Sequence, residues 1–130
     1  MLERIVRVCG SVIESGAVGA ERLLGRKLPP TAIFCFNDEM AMGAVETAKR
    51  RGLRVPLDVS IVGFDDIRFA RCIDPPLTTV AQPMRAIGEG TVHLLLDILT
   101  SDEWAPESIT LPHTLTIRSS TAPPRASRRS

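Results

Sequence analysis

Neither sign of charge dominates this sequence. Its 130 residues carry 16 lysines and arginines against 15 aspartates and glutamates, a formal net charge of +1. A chain so balanced has no electrostatic footprint for nucleic acid and is not expected to bind DNA by itself. One basic cluster, Arg125, Arg128 and Arg129, stands among Pro123, Pro124, Ser127 and Ser130 and reads as a solvated, disordered tail over residues 123–130. The three cysteines, Cys9, Cys35 and Cys72, have neither paired spacing nor an even count, and nothing near His93 or His113 completes a ligand set, so a disulfide framework, a metal site and a cofactor are not expected. No apolar stretch approaches the roughly 20 residues of a membrane helix. No secretory signal precedes the first elements, and the expectation is a soluble, cytoplasmic protein with no membrane partner. No Gly-rich phosphate loop or nucleophile motif accompanies the acidic residues.

What the chain does contain is a pair of apolar runs that stop at polar groups. Ala32-Ile33-Phe34-Cys35-Phe36 ends at Asn37-Asp38, and Val59-Ser60-Ile61-Val62-Gly63-Phe64 ends at Asp65-Asp66. Ligands of open parallel α/β sheets sit beyond the carboxyl ends of the strands, so polar groups there face a crevice. Between the runs, Ala41, Ala44, Val45 and Ala48 recur at helical spacing, Lys49, Arg50 and Arg51 complement the negative end of the macrodipole, and Gly52 suits an αL cap. Asn37 or Asp38 suits the N-cap. Strand, polar turn, helix and strand make a βαβ unit with a right-handed crossover. Upstream, Arg4–Cys9 reads as a short strand and Glu14–Leu24 as a helix closed by Gly25; downstream, Met84, Ile87, Thr91, Leu94, Leu95, Ile98 and Leu99 make an apolar stripe at helical spacing. The expected class is α/β, with an open, mainly parallel sheet and flanking helices.

The wording between Glu14 and Pro124 resembles the lactose-repressor/galactose-repressor (LacI/GalR) family. Its pieces stand in order: Asn37-Asp38-Glu39-Met40-Ala41, Val55-Pro56, Val59-Ser60, Gly63-Phe64-Asp65-Asp66, Pro76-Leu77-Thr78-Thr79-Val80 and Gln82-Pro83. Such repressors join a helix-turn-helix head to a sensor of two similar α/β subdomains. The resemblance covers only the end of that sensor, a periplasmic-binding-protein-like type I unit left incomplete. It implies one unit over residues 1–122, with most of the second subdomain at about 1–80 and 108–120 and one helix of the first at about 82–100. It also implies that DNA is reached only through an N-terminal domain outside this chain. The helix after Gln82 would then lie without the sheet that it normally covers. Each large side chain left in water forgoes about 1.5–3 kcal/mol, which predicts self-association, swapping or marginal folding.

The resemblance carries four candidate effector contacts. The carboxylate of Asp65 matches one that accepts hydrogen bonds from effector hydroxyls. Asn37 offers a donor and an acceptor, equally suited to an N-cap. Met84 matches an apolar cover over the effector, equally suited to core packing. Ser11, with Gly10, stands where the family commonly offers a stacking aromatic, and retains a hydroxyl. Asp66 should point away from Asp65 and suits a structural cap at the next turn. A homodimer contact is implied at Ala17, Met42, Glu46, Phe69 and Ile73. The partners are therefore a small-molecule effector, sugar or nucleobase-like, and a second subunit, and no enzyme activity is expected. Two alternatives stay open: a fragment of an extracytoplasmic sugar-binding protein, and an enzyme using Asp38, Asp65 and Asp66 with magnesium for phosphoryl transfer.

Overall fold

The β-branched run around Ile61 becomes the second strand of a four-stranded sheet in the computed structural model, which describes residue 10 and residues 12–100 and 108–124. The strand expected at Arg4–Cys9, the candidate Ser11 and the tail beyond Pro124 lie outside the described residues. Strands β1 (Ala32–Phe34), β2 (Ser60–Asp65), β3 (Thr78–Ala81) and β4 (Thr114–Thr116) lie side by side in chain order. The first three are parallel, and β4 runs antiparallel to β3, with Leu115 opposite Val80. The α/β class and the mainly parallel sheet agree with the sequence reading. Strand β1 is shorter than the apolar run that encodes it, although the Cys35 N–H still bonds the Val62 carbonyl at 2.8 Å.

Helices α1 (Ile13–Leu24) and α2 (Asp38–Arg50) form one layer. Their backbones meet at glycines: a Cβ built on Gly16 would lie 2.0 Å from the Met40 carbonyl oxygen, and one on Gly43 would lie 2.0 Å from that of Ile13. Asn37 caps α2 by accepting the Met40 N–H at 2.9 Å. The helix ends in a Schellman turn, with Gly52 at φ +74° and the Leu53 N–H bonded to the Ala48 carbonyl at 2.9 Å. Ala41, Ala44, Val45 and Ala48 pack with Ile33, Cys35, Val59, Ile61 and Leu77, the core of the molecule. Burial among these side chains pushes the Cys35 thiol up to about 12, with the Asp38 carboxylate adding to the effect, so it is an inert core group.

The segment after β4 returns to the amino ends of β2 and β3. The Ser120 hydroxyl accepts the Thr78 N–H at 2.8 Å and donates to the Ile61 carbonyl at 2.6 Å, while the Ile61 N–H bonds the Ser120 carbonyl at 2.9 Å. The sheet face away from α1 and α2 is different. Helix α3 (Met84–Thr100) starts two residues later than the sequence suggested and has no buried residue. Its Ile87 and Leu94, with Phe34, Phe64, Val80, Ile109 and Leu111, line an open cavity of about 620 Å³. Parallel sheets ordinarily have both faces covered. Here one is covered by helices and the other is half open.

Candidate functional site

The carboxyl ends of β1, β2 and β3 open on one edge of the sheet, and each is followed by a candidate residue. Asn37 follows β1, Asp65 ends β2 opposite Ala81, and Gln82 to Met84 follow β3. Asp65 is half-buried, and one of its carboxylate oxygens accepts from the Gln82 side-chain amide at 2.5 Å. The group is thus neither locked in the core nor fully solvated. Asn37 is partly buried, with its amide oxygen on the Met40 N–H. Met84 is 63% exposed at the start of α3. Ser11, the fourth candidate, lies outside the described residues.

The turn that presents Asp65 is unusual. Asp65 has φ 109° and Asp66 has φ 52°, both in the left-handed region that side chains with a Cβ enter at a cost of about 1–3 kcal/mol each. Surrounding bonds hold them there. The Asp66 N–H reaches the Thr79 hydroxyl at 3.4 Å, and the Asp66 carboxylate pairs with the Arg118 guanidinium at 2.6 Å. Asp66 therefore does not cap the next turn, as sequence reasoning expected; the 3₁₀ turn Arg68–Arg71 begins at Ile67 with no side-chain cap. A cation 52 residues downstream claims the carboxylate instead.

Beneath the turn lies Asp38, 0% exposed. Its carboxylate accepts from the Thr79 hydroxyl at 2.5 Å and from the Ile67 N–H at 2.8 Å. Burial raises its pKa above 3.8, the neighbouring charges of Asp65 and Asp66 push the same way, and its two hydrogen bonds oppose them. The folded value exceeds the unfolded one, so the contribution of Asp38 to stability is complete below 3.8 and is lost as pH rises through the folded value. Comparing urea midpoints of wild type and Asp38→Asn across that window should show wild type gaining relative to the variant as pH falls. Parallel pH profiles for the two proteins would contradict the assignment.

Sequence reasoning missed several members of this constellation. Gln82 was noted as part of a motif and not as the partner of Asp65. Thr79 likewise stood in a motif without this role, and Arg118 gave no local signal. Phe36, assigned to a strand, is 77% exposed immediately before Asn37. The described residues hold no group of three or more His, Cys, Asp or Glu arranged for a metal ion, so Asp38, Asp65 and Asp66 do not form a magnesium site. No described helix is long and apolar enough to cross a membrane.

The implied dimer residues are dispersed in character. Phe69 is 69% exposed and Glu46 is exposed; Met42 and Ala17 are partly buried, with the Ala17 carbonyl near the Thr47 hydroxyl at 3.5 Å. Ile73 packs partly against the core of its own chain.

The fold is an open, mainly parallel α/β sheet with polar side chains at its carboxyl edge, the place where ligands of such sheets bind. Residues 3–121 match the family model for the periplasmic binding protein-like domain, and the chain belongs to that family. Within it, the relatives are LacI-type regulators, and this chain is part of their effector domain. The HTH-type transcriptional repressor CytR of Escherichia coli K12 is 46% identical over 108 residues, 83% of this chain and 32% of the relative. Among solved structures, a LacI family transcriptional regulator from Enterococcus faecium with bound ribose superposes with a TM-score of 0.74 at 36% identity, over 86% of this chain and 41% of that one. The Lac repressor dimer bound to operator and the anti-inducer ONPF gives a TM-score of 0.76 at 35% identity, over 85% and 38%. The chain thus spans about a third of the length of the curated relatives it matches. Those relatives are transcriptional repressors and not enzymes.

Proposed function

We propose that this chain is one wall of the effector pocket of a cytoplasmic LacI-type transcriptional regulator, and that Asp65 is its principal acceptor for the hydroxyls of a small sugar or nucleobase-like effector. The observation that carries this reading is a half-buried carboxylate at the carboxyl tip of the middle parallel strand, oriented by Gln82. A carboxylate with one oxygen already engaged keeps lone pairs for further donors, as polyhydroxylated ligands require. Asn37 adds a donor amide, Met84 an apolar cover and Ser11 a hydroxyl. Phe36 brings a flat apolar surface beside them, suited to the nonpolar face of a ring. In this reading residues of about 1–80 and 108–120 belong to one sensor subdomain and about 82–100 to the other, and DNA is engaged by another part of the regulator.

The test is calorimetric titration of D-ribose and cellobiose into wild type and Asp65→Ala. Binding by wild type and its loss in the variant is the expected result; equal binding by both would remove Asp65 from the pocket. Sedimentation velocity tests the second half of the proposal, homodimerisation through Ala17, Met42, Glu46, Phe69 and Ile73 together with the exposed stripe of α3. Association that rises with concentration is expected, and a monomer at every concentration would refute it.

A further inference from the structure

We infer that Asp38 is a positioning residue for the pocket: a carboxylate that never reaches the effector holds the Asp65–Asp66 turn in the conformation that presents Asp65. The inference rests on Asp65 being the effector acceptor. Three observations converge on it.

The turn needs a clamp, because two consecutive non-glycine residues have positive φ. The clamp is present, because Asp38 draws in both sides of the turn. One oxygen takes the Ile67 N–H at 2.8 Å, directly after the left-handed pair, and the other takes the Thr79 hydroxyl hydrogen at 2.5 Å. With its hydrogen committed to Asp38, the Thr79 oxygen has a lone pair for the Asp66 N–H at 3.4 Å. A single buried carboxylate thus orders two successive backbone donors, one directly and one through a hydroxyl. Finally, the space for it is reserved: a Cβ on Gly63 would lie 2.2 Å from the nearer Asp38 oxygen, so β2 passes over Asp38 only as glycine. Since Asp38 is also the first residue of α2, the turn is tied to the helix with the most buried residues among those described.

The experiment has a ligand-free arm and a ligand arm. In the first, amide resonances and hydrogen exchange of Asp65, Asp66 and Ile67 are followed by NMR in wild type, Asp38→Ala, Thr79→Val and Thr79→Ser, each under conditions where urea titration shows it folded. Thr79→Val keeps the shape of the side chain and removes only the hydroxyl, so it stands in where Asp38→Ala fails to fold. The expected result is loss of protection and displaced shifts at these three amides in Asp38→Ala and Thr79→Val, with Thr79→Ser close to wild type. Wild-type shifts and protection in folded Thr79→Val or Asp38→Ala overturn the inference, whatever the effector proves to be. In the ligand arm, D-ribose affinity should fall roughly tenfold or more in Thr79→Val and return in Thr79→Ser. Full affinity in Thr79→Val alongside a dead Asp65→Ala overturns the inference and leaves the pocket reading intact, whereas undiminished binding by Asp65→Ala overturns the pocket reading itself.

Discussion

Replacing Gly43 with alanine should lower the stability of this protein by about 3 kcal/mol or more, although alanine is the better helix former by about 1 kcal/mol. The reason is the separation of α1 and α2. An added Cβ would stand 2.0 Å from the Ile13 carbonyl oxygen and 2.8 Å from the Ala17 nitrogen. Both are backbone atoms, which cannot turn aside as a flexible side chain does. The helices must move apart, and the packing of Ala20, Leu24, Ala41, Ala44 and Ala48 loosens with them. Against a total stability of about 5–15 kcal/mol for an ordinary domain, this is a large fraction. Gly16→Ala meets the Met40 carbonyl in the same way, so the double variant should cost less than the sum of the two single ones, one separation serving both. Urea unfolding followed by circular dichroism measures all three. A Gly43→Ala protein as stable as wild type would show that the helices do not approach as closely as described.

The second large effect is expected at Ser120. It is 0% exposed, and its hydroxyl joins the Thr78 N–H to the Ile61 carbonyl, binding the returning C-terminal segment to β2 and β3. Ser120→Ala removes the partner of both groups without leaving room for a replacement side chain. Leaving a buried donor or acceptor unsatisfied costs about 1–3 kcal/mol, and two are affected, so a loss of about 2 kcal/mol or more follows. Neighbouring bonds share the load: Ser119 N–H to the Pro76 carbonyl at 3.0 Å, and the Ser60 hydroxyl to the Ala122 carbonyl at 3.2 Å. The variant should also expose the Thr78 amide to hydrogen exchange. Unchanged exchange at Thr78 together with an unchanged urea midpoint would show that the strap is dispensable.

The parts of this fold that were readable in advance are those governed by neighbours in sequence. Alanines at helical spacing place α2, Asn37 caps it, and Gly52 ends it, because each effect acts within about one helical turn. The alternation of apolar runs and polar stops placed Asp65 at a strand tip for the same reason. The stripe of α3 was equally plain, and among the described residues none of its side chains is fully buried.

The core of the candidate site was not readable. Asp38 suggested an N-cap or a metal ligand; it is a buried acceptor for Thr79, 41 residues away, while Asn37 does the capping. Asp66 suggested a cap and is paired with Arg118. Phe36 suggested a core strand residue and is exposed, as Phe34 is, because both fall on the side of the extended segment opposite buried Ile33 and Cys35. For the two aspartates, several local outcomes had similar energy, and the choice was made by a partner that the fold brought near.

By itself the sequence determined the three helices, strands β1 and β2, the α/β class and the strand tip that bears Asp65, since periodicity, capping and turn chemistry are short-range properties of the chain, and its ordered motifs gave the family. Only the tertiary structure decided which groups hold Asp65 in its left-handed turn, why Gly16, Gly43 and Gly63 are required, and which sheet face stays open. Those outcomes depend on close approach between segments far apart in sequence, where a hydrogen bond or a single Cβ is worth more than any local preference.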